Sequence, residues 1–221
     1  MAVSVLPRRF GESLGYDVVV NEKTVTVQDY LDAVNKAFLR LKLSRQRNSG
    51  QSECFGCDRC CAERAPLTII DCFTLSVAMD VKSLSGFITR YTTVSVRGPV
   101  VDITLRLLDD GRCIFLNRKN RTCRVYPVRP FVCQTFICSP ATERVQALRE
   151  AVANEGEDEL VRRWLKTNRV IHYAENPAVD ERDWPKTPFH GKWRYNMVPL
   201  RQVVPRRLWR ELLVKDEGLR I

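Results

Sequence analysis

Nine cysteines and two histidines carry most of the chemistry this chain can offer. Four of the cysteines fall within eight residues, in the run Cys54-Phe55-Gly56-Cys57-Asp58-Arg59-Cys60-Cys61. A C-x2-C turn places two sulfurs where they can bind one metal, and the N–H groups of the turn can hydrogen-bond the thiolates. Gly56 permits a backbone conformation that other residues resist. Cys60 and Cys61 are adjacent, so their side chains diverge unless the backbone bends sharply; either they serve two sites or only one is a ligand. With His172 and His190 the only imidazoles, a metal site is built mainly from sulfur. Such sites favour zinc or iron–sulfur clusters over magnesium, calcium or manganese.

The remaining cysteines follow at wider spacing. Cys113 and Cys123 sit on a proposed hairpin, and both are odd-numbered. A register of even sum therefore places them on one sheet face, opposite or diagonal, within reach of a shared metal. Cys133 and Cys138 are five residues apart, about 140° out of phase on an ideal helix, so at least one lies at a helix end or in a loop. Cys72, beside Ile69, Ile70 and Phe73, reads as a buried structural thiol.

The run C-x2-C-x2-C-C, then Cys113-Ile-Phe-Leu, then Cys123-x2-Tyr126-x2-Arg129-Pro130-x2-Cys133, resembles the YkgJ-like cysteine-cluster family, described as a zinc- or iron-chelating domain. The resemblance covers residues 54–138. Cys54, Cys57, Cys60, Cys61, Cys113, Cys123 and Cys133 match it one by one, Cys138 fits its less regular final cysteine, and Cys72 falls outside. It implies a metal-binding protein with those eight thiols as ligands and a redox, metal-handling or maturation role. The same motif occurs in flagellin lysine-N-methylases, which makes a methyltransferase-like enzyme the alternative; a zinc-stabilised RNA- or protein-interaction module is another.

Two four-cysteine zinc sites would use eight sulfurs, whereas a [4Fe–4S] cluster needs four and leaves others for a second site or for redox exchange. Two purely structural zincs are many staples for so small a segment, so iron–sulfur is preferred. Arg129, between ligands in sequence, can donate to a thiolate and tune the cluster or, with Tyr126, bind an anion; the plainer reading has Arg129 pairing with a carboxylate and Pro130 opening a helix. His172 reads as an ordinary helix-end residue, and His190 as a weak candidate for ligand or acid/base work. There is no phosphate loop, no G-x-G-x-x-G, no G-x-S-x-G and no C-x3-C-x2-C. Any catalysis arises at the cluster itself.

The elements that must position these thiols are less regular. Residues 16–28 read as two short strands around an Asn-Glu-Lys turn, with Thr26 and Asp29 set to cap a helix over 28–43. Residues 44–53 read as a linker. Residues 100–108, 113–117 and 122–126 read as a β-meander stopped by Pro127 and Pro130. Beyond Cys138, helical patterns return over 142–153, 157–173 and, behind a proline, 205–215. The fold class is α+β: an N-terminal hairpin–helix scaffold over 1–48, a cysteine-rich metal-binding core over 49–140, and a helical, basic region over 141–221 packing on it.

At 44% hydrophobic and 28% charged residues the composition is that of a globular chain. No apolar run reaches the roughly 20 residues of a membrane helix, and the first residues lack the apolar core of a secretory signal. The expectation is a cytoplasmic protein, where reduced thiols ligate metal rather than pair. The formal net charge is +10, and two zincs or one cluster on thiolates would leave about +6 or +8. Residues 182–221 hold ten Lys/Arg against four Asp/Glu, interleaved with Trp184, Trp193, Tyr195 and Trp209. An acidic protein or a nucleic acid is the partner such a surface would suit.

Overall fold

The computed structural model describes residues 2–46, 57–135, 138–168 and 184–213. The fold is α+β, with seven helices and three two-stranded antiparallel sheets among the described residues. Two units emerge: residues 1–45, 139–152 and 194–221 form the first, and residues 46–138 and 153–193 the second. Among the described residues no helix is long and apolar enough to cross a membrane.

The first unit opens with a hairpin of β1 (Val3–Phe10) and β2 (Ser13–Val20), in register from Val3↔Val20 to Phe10↔Ser13. This displaces the hairpin expected within residues 16–28. The chain turns at Gly11, which holds φ +59° where a side chain would be strained, and residues 16–20 pair backwards with the N-terminus. The Asn-Glu-Lys segment merely leads into α1 (Val27–Arg40). That helix starts as its sequence demands. The Thr26 hydroxyl accepts from Asp29 N–H while the Asp29 carboxylate accepts from Thr26 N–H, two otherwise orphaned donors satisfied reciprocally. Val27, Tyr30, Leu31 and Val34 form its buried stripe.

Later chain completes this unit. Tyr16 N–H donates to Pro140 O (3.0 Å), and Gly15 is so close to the same carbonyl that a Cβ there would lie 2.1 Å from it. Val27 N–H donates to Val198 O and Leu200 N–H to Val25 O. From there α6 (Leu200–Val203) and α7 (Arg206–Leu212) follow, the latter opened by Pro205 as the proline-led pattern requires.

In the second unit, α2 (Ile69–Ala78) and α3 (Leu84–Tyr91) lead into a hairpin of β3 (Thr92–Arg97) and β4 (Val100–Leu105) around Gly98. The strand expected from residue 100 is β4; α2, α3 and β3 were not anticipated. The meander survives in reduced form: a single bridge Leu107↔Cys113, then a two-residue ladder between β5 (Leu116–Asn117) and β6 (Thr122–Cys123). β6 ends at Cys123, and Tyr126 lies beyond it in a 3-10 turn that has Pro127 in its first positions. Phe87, Tyr91 and Phe115 stack in sequence, with ring centroids 5.3 Å apart at each step, inside an apolar core with Leu67, Leu75, Ile103 and Phe131.

The two helices expected over 142–173 are one, α5 (Glu143–Asn168); residues 169–173 lie outside the described residues. Gly156 does not interrupt it. A Cβ at that position would fall 2.5 Å from Thr68 Cγ2, so the glycine serves a close helix approach rather than a break. Residues 143–152 of α5 belong to the first unit and 153–168 to the second.

Candidate metal centre

Cys60 and Cys61 ride on a single 3-10 turn, Arg59–Ala62. It is closed by Cys61 N–H donating to Asp58 O (2.9 Å) and Glu63 N–H donating to Cys60 O (3.3 Å). The first cysteine group meets the second through the backbone, where Cys113 N–H donates to Cys61 O (2.8 Å). Cys113 then begins a turn of its own: Leu116 N–H donates to its carbonyl, and Phe115 N–H to its Sγ at 3.5 Å. Cys123 stands opposite Leu116 in the β5–β6 ladder. That register has an odd sum, so Cys113 and Cys123 do not share a strand face as expected. Cys113 lies outside the ladder, and its turn brings it round.

Cys133 occupies the middle of α4 (Phe131–Thr135). One buried carboxylate sets where that helix starts. Asp71 accepts from Thr68 N–H (3.0 Å), capping α2, and from Phe131 N–H (2.9 Å), the first residue of α4. Cys138 follows outside the helix, half-buried, its carbonyl accepting from Gln46 N–H. Cys54, Gly56 and His172 lie outside the described residues, as does most of the linker expected over 44–53.

Electrostatics brings five of these thiols into one field. Cys60, exposed, is brought down to about 7, chiefly by the hydrogen bond from the Cys61 thiol and further by the Arg129 charge. Cys61 is pushed up by the same hydrogen bond, by burial and by the charges of Cys60, Cys113 and Cys123. Burial is the main cause of the rise at Cys113, Cys123 and Cys133, and Cys60 pushes each further; Cys123 adds to the rise at Cys113, and both add to that at Cys133. Like charges in a confined space disfavour one another. Cys57 contributes to the field at Arg121. Cys72 is fully buried on α2, and its electrostatic neighbours are Asp71 and Glu157.

Arginines ring this site, a feature the cysteine spacing did not signal. Residues 111–130 hold six Lys/Arg and no Asp/Glu, a bias visible in the sequence once the thiols are known to share this region. Arg129 lies 4.2 Å over the Tyr126 ring, donates to Tyr126 O, and lowers both Cys60 and Cys123. Arg124 donates to Ile114 O (2.8 Å) and lowers Cys113 and Cys123. Pro130 does directly precede a helix. His190 is engaged elsewhere in this unit, where its Nδ1 is 3.0 Å from Glu159 Oε1 and 2.8 Å from Arg162 Nη2. Burial pushes Glu159 up, but Arg162 and His190 outweigh it and hold the carboxylate low.

Among the described residues, no three cysteine, histidine or carboxylate side chains are gathered closely enough to hold an ion as they stand. The thiols share a field without sharing a centre, and neutral thiols have no reason to converge to the roughly 2.3 Å metal–sulfur distance. The donor set itself is all sulfur, half-buried except for the exposed Cys60, and faced by guanidinium groups. A thiophilic cation fits it, because such an ion replaces the thiol protons and the arginines offset the residual negative charge. Residues 53–158 match the CxxCxxCC family model, described as "Putative zinc- or iron-chelating domain". That matched span holds all nine cysteines and runs on into α5. No curated protein and no solved structure matches the chain.

Proposed function

We propose that the CxxCxxCC domain holds an iron–sulfur cluster, in preference to zinc. Its thiolate ligands are drawn from Cys54, Cys57, Cys60, Cys61, Cys113, Cys123, Cys133 and Cys138, in a reducing, cytoplasmic setting. The observation that carries this reading is the mutual perturbation of five thiols from three separate segments. Without a cation, each thiolate formed makes the next harder to form; a bound cation reverses that sign.

Iron–sulfur is favoured over a structural zinc for two reasons. The unit already has an apolar core around Phe87, Phe115 and Phe131, so it does not depend on a metal staple for burial. Five thiols in one electrostatic field also exceed the four of a closed tetrahedral site. When bound, a cluster supplies one-electron chemistry. Arg129, stacked on Tyr126, and Arg124 stabilise the thiolates, and the surplus thiol is available for redox exchange or for handing metal on. Redox, metal handling or maturation of another component is the role that follows.

Anaerobic purification of the full chain with metal analysis and a visible spectrum tests this. A broad absorbance near 400 nm with about four irons per chain is expected. A colourless protein with about two zincs overturns the cluster, and a metal-free protein overturns the centre altogether.

A further inference from the structure

Asp58 is a buried carboxylate directly before the vicinal turn, between Cys57 and Cys60 in sequence, and it accepts from residues far along the chain. Arg121 Nη2 donates to its Oδ1 at 2.6 Å, while Arg112 Nη1 donates to its backbone carbonyl at 3.1 Å and lies 3.8 Å from Oδ2. The same carbonyl accepts from Cys61 N–H. Arg112 directly precedes Cys113, and Arg121 stands two residues before Cys123. One residue thus ties the turn that carries Cys60 and Cys61 to both ends of the segment that carries the next two thiols.

The backbone argues that this link is held by geometry. Arg121 holds φ +55°, a left-handed conformation that, among the described non-glycine residues, only Asp80 shares. A residue with a Cβ stays there when its surroundings over-determine it, and the 2.6 Å contact to Asp58 is that constraint.

We propose that Asp58, through Arg121 and Arg112, is the positioning residue that presets the vicinal thiols against Cys113 and Cys123 for metal binding. It rests on the metal-binding reading above. Partners that orient ligands from behind typically govern metal affinity by about 10–100-fold.

Cobalt(II) titrated anaerobically into the metal-free full chain, followed by its sulfur-to-cobalt charge-transfer band against a competing chelator, tests it. Asp58→Asn is expected to weaken cobalt binding by about 10–100-fold and to reduce the band per bound ion, with far-ultraviolet circular dichroism unchanged. Arg121→Gly removes the cation where glycine is at ease, and is expected to weaken binding equally without loss of folded protein. The double variant is expected to be no weaker than either alone, since both break one link. If Asp58→Asn binds as tightly as the parent or tighter, the carboxylate acts by charge alone and the positioning role is overturned. Multiplying effects in the double variant overturn the shared link. A parent chain that takes up no thiolate-bound cobalt overturns the metal reading and this role with it, whereas normal uptake with unaffected variants removes only Asp58 and Arg121.

Discussion

In the first unit Asp17 is buried, yet every demand it makes is met within the chain. Arg144 donates to both its oxygens at 2.8 and 2.6 Å, Thr142 Oγ1 donates at 2.8 Å, and Val18 N–H donates at 2.8 Å. Burial pushes its pKa up, and these partners outweigh burial and hold it below the usual carboxylate range. In the second unit the clustered thiols are half-buried except for the exposed Cys60, and apart from the hydrogen bond by which Cys61 favours the Cys60 thiolate, their effect on one another is to make charge costlier. All nine cysteines fall in that unit and none in the first. A polar cluster that satisfies itself serves stability; one whose members oppose each other's ionised form waits for something from outside.

The sharpest way to break this contrast is Cys57→Ser. Metal uptake is expected to be abolished, with hydrogen-exchange protection falling across residues 113–133 and kept in β2, because ligand loss acts on one unit only. Unchanged metal content would strike Cys57 from the ligand set.

Asp17→Ala inverts the experiment. Removing one partner of a buried pair leaves Arg144 uncompensated and is expected to cost about 3 kcal/mol, read as lost exchange protection at Tyr16 and Val18 with metal content unaltered. Because the folded pKa of Asp17 is depressed, its contribution is fully present above the unfolded value of about 3.9 and is lost as pH falls through the folded value. The parent chain should therefore loosen at β2 below about pH 4, and the variant should show a flatter acid limb. An unchanged limb would show that Asp17 is not the group that titrates there.

Gly156→Ala gives the smallest effect. A better helix former recovers up to about 1 kcal/mol, but the new methyl meets Thr68 Cγ2 at 2.5 Å, and overpacking costs about 1–3 kcal/mol. The net expectation is destabilisation by about 1 kcal/mol, lowering Tm by about 2–4 °C. A higher Tm would mean that the Thr68 contact yields and that α5 keeps its glycine for no packing reason.

Where a signal was local, it could be read directly. The capping box at Thr26 and Asp29, the stripe on α1 and the proline before α7 each depend on residues within a turn or two of one another. Where two local signals compete, spacing alone does not decide: Gly11 and the Asn-Glu-Lys segment both offer turns, and only the pairing of β2 with the N-terminal strand selects Gly11. The helix α2 is apolar on more than one face, with Ile69, Ile70, Cys72 and Leu75 all buried, so it lacks the amphipathic period that would have announced it. Gly156 reads as a helix breaker until Thr68 is seen against it.

The thiols follow the same division. Their number, their type and the C-x2-C-x2-C-C spacing determined the chemistry of the site, because soft-metal ligation is a property of sulfur and of closely spaced turns. Which thiols share a field, that Cys113 reaches it through a turn rather than a strand face, and that Asp58 is linked to Arg121 were decided by tertiary structure alone. Asp58 and Arg121 are 63 residues apart. No local spacing rule reaches that far, since such contacts depend on the path the backbone takes through β3–β4 and the reduced meander before the side chains can meet.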